Sequence, residues 1–219
     1  NELGIQPLAH VLCMGSDRQK AAAQLEALRA AGVRDVLVLR GDCTPLRPES
    51  PDFHHACDLM DFIRDTAPDI SFAGACYPEG HPEAESLAAD VANLRHKQQA
   101  GASHLVSQLF FDNGKYYRFL NMARKAGVTL PISAGVMPIV RRSQIERTVA
   151  LSSASLPSAF TRMISRWQDD PQSLYQAGIE YAVEQLRDLI EGGADGVHLY
   201  AMNDAGVAAA VYDGIRDLL

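Results

Sequence analysis

Several things are scarce or missing in this 219-residue chain, and each closes off a class of function. No block of Lys or Arg stands out, and the formal net charge is −7. That balance argues against a nucleic-acid or membrane-surface partner. An anionic ligand would be held by a few placed groups rather than by a general positive field. No stretch is long and apolar enough to span a bilayer as a helix, and no signal peptide opens the chain. There are only four cysteines, Cys13, Cys43, Cys57 and Cys76, with no Cys-x-x-Cys pair among them. They read as reduced thiols of a cytoplasmic protein, not as a disulfide frame or a zinc site. No metal is expected. No glycine-rich dinucleotide fingerprint follows any β-rich run. A starting Met is also lacking, which fits a fragment or a processed chain.

What is present is ample apolar material, 47% of residues, enough for the core of one α/β domain. Short β-rich runs alternate with helical patterns. The runs are Leu8–Gly15, Asp35–Asp42, Ile70–Tyr77, His104–Phe111, Pro131–Pro138 and Gly196–Asn203. Most are nearly continuous in apolar or small residues, the mark of strands covered on both faces. Between them, apolar residues recur at helical spacing, as in Ala21, Leu25 and Leu28, or Leu87, Val91 and Leu94. The second helix is expected to carry Phe53, Ala56, Met60 and Ile63, and a longer one to run from Pro171 to about Glu191. An Ala-Gly rhyme ends several helices, at Gly32, Gly101 and Gly127, with Gly193 similar.

Strand followed by helix, six times over, predicts parallel strands with right-handed crossovers. Either the sheet is open and doubly wound, or it belongs to a (β/α)8 barrel, which needs eight units. The missing dinucleotide fingerprint favours the barrel. The expected fold is one TIM barrel domain over residues 1–219, N-terminally incomplete, with its first two βα units absent from this chain.

Polar residues collect where these strands end. Arg40, Gly41 and Asp42 close the second run; Tyr77, Glu79 and His81 follow the third; Gln108 and Asp112 close the fourth; Asn203 closes the last. In a barrel those ends converge on one face. Plainer readings compete. His10 inside an apolar strand is more often a paired core residue, and Asp42 could simply begin a turn. Prolines stiffen the loop after Tyr77. Beyond it Asp90, Asn93 and Lys97 share one helix face at offsets of three and four. That face is either solvated or suited to a nucleotide-like ligand, with ribose on Asp and Asn, phosphate on Lys and a ring on Tyr.

Taken in order, these motifs resemble the methylenetetrahydrofolate reductase family. The matching segments are Pro7–Cys13 (PLAHVLC), Leu39–Asp42 (LRGD), Tyr77–Glu83 (YPEGHPE), Asp90–Lys97, Gln108–Asp112 (QLFFD), Gly135–Pro138 (GVMP) and His198–Asn203 (HLYAMN). The resemblance implies a flavin-dependent oxidoreductase of one-carbon metabolism. It would reduce 5,10-methylenetetrahydrofolate to 5-methyltetrahydrofolate with NADH or NADPH, through non-covalent FAD. By position the FAD binders would be His10, Arg40, Gly41, Asp42, Ala56, Tyr77, His81, Ala84, Asp90, Asn93 and Lys97. His55 and His96 are weaker transfers, because the family more often has Tyr and Arg there. Asp42 would tune the flavin and touch the folate; Gln108 and Gln144 would contact folate or nicotinamide. Gln144 could equally be a plain surface residue.

Two departures accompany the resemblance. The family's general acid is a glutamate on its first strand, which lies upstream of anything in this sequence, and Glu79 carries no mark of a substitute. Asp204 stands where the family usually has an arginine that helps bind folate. It would either repel the folate tail or cap the final helix. These departures motivate an alternative, a flavin-binding electron-transfer or assembly subunit with altered folate handling. A third reading is an aldolase- or isomerase-type barrel acting on a sugar phosphate. A homo-oligomer, or a place in a larger complex, is the expected assembly.

Overall fold

The computed structural model describes residues 4–145, 148 and 154–219. Six strands form one sheet in the order β1-β2-β3-β4-β5-β6. They are β1 (Leu8–Leu12), β2 (Asp35–Leu39), β3 (Ser71–Cys76), β4 (Leu105–Ser107), β5 (Ile132–Val136) and β6 (Gly196–Leu199). The pairs β1–β2, β2–β3 and β5–β6 are parallel. Each strand lies beside its sequence neighbours, so the order never reverses. A doubly wound sheet requires such a reversal, and that alternative is set aside.

The helices are α1 (Arg18–Ala30), α2 (Ala56–Thr66), α3 (Leu87–Ala100), α4 (Asn113–Lys125), α5 (Ser158–Trp167), α6 (Pro171–Glu191) and α7 (Ala205–Ile215), followed by a 3-10 turn at Arg216–Leu218. None of the described helices is long and apolar enough to cross a membrane. The Ala-Gly rhyme has a backbone cause. Gly32, Gly101, Gly127 and Gly193 all have positive φ, from 77° to 102°. Each stands just past a helix, where the left-handed turn penalises any residue with a Cβ.

The contacts divide the chain into two units. The first comprises residues 1–75, 92–105 and 126–130. Its core packs Val11, Val36 and Val38 of the strands against Leu25 of α1, and Leu59, Met60 and Ile63 of α2. The Asp17 side chain starts α1 by accepting the Lys20 N–H at 2.8 Å. Asp58 takes the N–H groups of His54 and His55, both at 2.8 Å, and so fixes the entry to α2. That helix begins at Ala56, later than the expected span. Phe53 lies ahead of it and is still buried.

The second unit comprises residues 76–91, 106–125 and 131–219. Its core gathers Phe111, Met137, Ile139, Phe160, Ile164 and Leu174. Phe111 and Phe160 stack with ring centroids 4.2 Å apart. The expected strands are all present, but each stops short of its apolar run. Phe110, Phe111 and Met137 lie past the last ladder residues and are buried as loop residues. Apolar content signals burial here, not extended pairing.

Candidate functional site

In the first unit, β1 and β2 end side by side, and their pairing continues one step past the strands. Cys13 N donates to Leu39 O and Met14 N to Arg40 O, both at 3.0 Å. This ladder places Arg40, Gly41 and Asp42 at the C-terminal edge. Gly41 has φ of +79°, and Asp42 is exposed. His10 is also exposed, so the reading of it as a paired core histidine fails; its carbonyl accepts the Gln24 side-chain amide at 3.4 Å. His55 and Ala56 open α2, and His55 O accepts the Cys13 thiol at 3.5 Å. Burial pushes the Cys13 thiol up to about 12, with Asp58 adding to the effect and Arg40 opposing it. The Cys57 thiol is raised as well, again chiefly by burial. Neither is poised as a nucleophile. Asn93 and His96 face solvent on α3. Lys97 on the same helix does not. Its stem runs across Gly74, where an added Cβ would lie 3.1 Å from Lys97 Cδ, and its ammonium donates to Ala75 O at the end of β3.

In the second unit, the loop after β3 is held from within. The Tyr77 and His81 rings meet edge to face at 4.8 Å. Gly80 N donates to Tyr77 O at 3.0 Å, and Ala84 N to His81 O at 2.9 Å. His81 Nδ1 accepts the Glu83 N–H at 3.1 Å. Nδ1 is therefore the acceptor, which leaves Nε2 to carry the ring proton in the neutral form. Asp90, buried on α3, accepts the His81 N–H at 3.0 Å. Its carboxylate is thus an anchor for the loop, and the solvated-face reading does not apply to it. Glu79 is engaged too: it accepts the Ser155 N–H at 2.9 Å and lies 3.9 Å from the Lys115 ammonium.

Both glutamines turn toward their own backbones. Gln108 Oε1 accepts the Leu109 N–H, and Gln144 Oε1 accepts those of Val140 and Arg141, each at 2.9 Å. Their amide nitrogens remain the groups to offer a ligand. Asp204 caps α7, accepting the Val207 N–H at 3.1 Å, and forms an ion pair with Arg141. Sequence reasoning passes over Arg141 and over Ser107. Ser107 is fully buried; its hydroxyl accepts the Gly135 N–H at 2.8 Å, and its carbonyl accepts the Tyr200 hydroxyl at 2.8 Å. The doubled arginine at 141–142, just past β5, was the available signal for the first. Nothing in the sequence marks the second. Among the described residues, no group of three or more His, Cys, Asp or Glu could hold a metal ion.

The family profile described as methylenetetrahydrofolate reductase matches residues 1–216, almost the full chain. The chain belongs to the methylenetetrahydrofolate reductase family. The oxidoreductase class expected from its motifs stands. The 5,10-methylenetetrahydrofolate reductase of Pectobacterium carotovorum is 29% identical over 95% of this chain and 69% of its own length. A probable NADPH-dependent methylenetetrahydrofolate reductase of Caenorhabditis elegans is 34% identical over 93% of this chain. The chain spans only 31% of that relative. Among solved structures, an uncharacterised Clostridium thermocellum protein, described as binding two copies of 5-methyl-5,6,7,8-tetrahydrofolic acid, superposes with a TM-score of 0.66. It covers 99% of this chain and is 13% identical, so it speaks to the fold alone.

Proposed function

We propose that the protein to which this chain belongs, with the remaining barrel units present, reduces 5,10-methylenetetrahydrofolate to 5-methyltetrahydrofolate with NADH or NADPH as donor, using bound FAD, as a cytoplasmic enzyme. The observation that carries the reading is the family match along residues 1–216, with the family's motif residues lying where strands end. The family's relatives include one named for NADPH, from Caenorhabditis elegans, and one named for NADH, from Arabidopsis thaliana, so either nucleotide fits as donor. The folate ligand of the Clostridium thermocellum protein agrees in substrate class.

Taken unit by unit, the residues present are of the kinds that hold a dinucleotide such as FAD. Lys97 carries an ammonium with one bond to Ala75 O and further N–H groups to offer a phosphate. Tyr77 is an aromatic ring held on a braced loop, and Asn93 is an exposed amide one turn from Lys97. Gly41 brings bare backbone to the edge of β2, where a ring can approach closely. When bound, FAD supplies the two-electron relay between nicotinamide and folate. Asp42, an exposed carboxylate, would bias that relay, since a fixed negative charge disfavours additional negative charge beside it. Gln108 and Gln144 are assigned to folate or nicotinamide through their free amide nitrogens.

The same reading makes the six strands part of an eight-stranded barrel. All of β6 is only half covered, and His10 on β1 is exposed; these two strands end the order, and further parallel strands would cover them. The alternative of an electron-transfer subunit with altered folate handling loses one of its motives. Asp204 already has a local purpose as a helix cap. The test is anaerobic. The purified full-length protein should be yellow, NADH or NADPH should bleach it, and methylenetetrahydrofolate should restore the colour. Bleaching with no reoxidation by the folate defeats the substrate assignment.

A further inference from the structure

Two loops of the second unit, one after β5 and one after β6, are joined by the ion pair between Arg141 Nη2 and Asp204 Oδ2. Both partners are fixed from behind. Asp204 uses its other oxygen to cap α7 on the Val207 N–H. The backbone N–H of Arg141 is bound by Gln144 Oε1 at 2.9 Å. Met202 and Asn203, which deliver Asp204, have φ of 51° and 59°. Two successive non-glycine residues in the left-handed region are costly and persist where the surroundings impose them.

An exposed ion pair adds little stability, so stability does not account for this construction. Its effect is to aim a guanidinium. The Arg141 side chain is 65% exposed while Asp204 is 28% exposed, so the arginine lies on the solvent side of the pair. A guanidinium has five N–H donors in a planar fork, and Asp204 engages only one nitrogen of it. A second carboxylate can take another edge of the same plane. Asp204 meanwhile has its charge matched and both oxygens occupied, so it does not need to repel an incoming anion.

We propose that Arg141, oriented by Asp204 and Gln144, binds the carboxylate tail of the folate substrate. This rests on the folate reading above. It makes Arg141 a specificity residue, with Asp204 as its positioning residue. The substrate class is correspondingly narrowed to pterins that carry a carboxylate tail.

The test compares two ligands, 5-methyltetrahydrofolate and its analogue in which a neutral amide replaces the glutamate, 5-methyltetrahydropteroyl amide, which carries no carboxylate. Binding of each is measured by calorimetry on the purified protein and on Arg141→Ala and Asp204→Asn. The unsubstituted protein should prefer the tailed ligand by about tenfold, the scale of one good charge-assisted contact. Arg141→Ala should erase that preference and leave binding of the tail-less ligand alone. Asp204→Asn keeps the oxygen that caps α7 and should reduce the preference severalfold. It also provides the reading if Arg141→Ala fails to fold. A preference that survives Arg141→Ala, or a loss that is equal for both ligands, overturns the proposal while the folate reading stands. Failure of the unsubstituted protein to bind either ligand removes the folate reading itself.

Discussion

Cys13 illustrates how far a residue's surroundings can be read from its neighbours. It ends an apolar run, and the structure buries it completely, with its thiol against His55 O. Its folded pKa of about 12 lies well above that of a thiol in an unfolded chain. The sign of the consequence follows. Between pH 9 and pH 12 the unfolded chain has lost this proton and the folded one keeps it. Folding stability therefore falls as pH rises through that window, by about 1.4 kcal/mol per pH unit for this one group. Urea melts at pH 7, 9 and 10 should show it, and Cys13→Ser should flatten the slope. At pH 8, native alkylation should modify exposed Cys43 and spare Cys13, which peptide mass spectrometry reads directly. Other residues were less legible. Asp90 sits on a helix face that looks solvated in sequence, yet it is buried because His81 nine positions earlier folds back to donate to it. Gln144 reads by resemblance as a folate or nicotinamide contact or as a plain surface residue, and neither reading foresees that its carbonyl oxygen accepts the N–H groups of Val140 and Arg141.

At the level of elements, α6 was the most legible. Pro171 at its start and apolar residues at helical spacing placed it correctly end to end. α5, by contrast, is absent from the expectations, although Phe160, Met163, Ile164 and Trp167 recur at the right intervals. Its approach is rich in Ser and its length is only ten residues, so the pattern had little support on either side. What α6 conceals is a contact. Gly178 passes so close to the backbone that an added Cβ would lie 2.0 Å from Ile139 O and 2.8 Å from its carbonyl carbon. Both partners are main chain, so neither can swing away. Gly178→Ala should gain slightly in helix propensity and lose far more by forcing α6 off residue 139. A net loss of about 1–3 kcal/mol is expected, as for overpacked cores. Thermal denaturation would measure it, and an unchanged or raised melting temperature would contradict the close contact.

For the whole molecule, the alternation of strands and helices was enough to give parallel strands, because each crossover is local in sequence, but it left a doubly wound order open, which the observed order β1 to β6 excludes. The pairing of Arg141 with Asp204 was not legible, because it joins residues 63 positions apart whose meeting depends on how β5 and β6 are aligned. Net charge belongs to this scale as well, and it has a consequence for rate. The chain carries −7, while NADH, NADPH and folate are all anions. Approach is therefore uphill in the long-range field, and only the local cations at strand ends favour capture. Screening acts on the long-range part first, with a Debye length of about 10 Å at 0.1 M salt. On the proposed function, the second-order rate of flavin bleaching by the pyridine nucleotide should then rise, by roughly twofold, between 20 and 200 mM salt. Stopped-flow absorbance provides that rate. A steep fall with salt would mean that the placed cations, Lys97 among them, dominate the field at the distances where encounter is decided. The acidic surface would then be electrostatically silent toward these ligands.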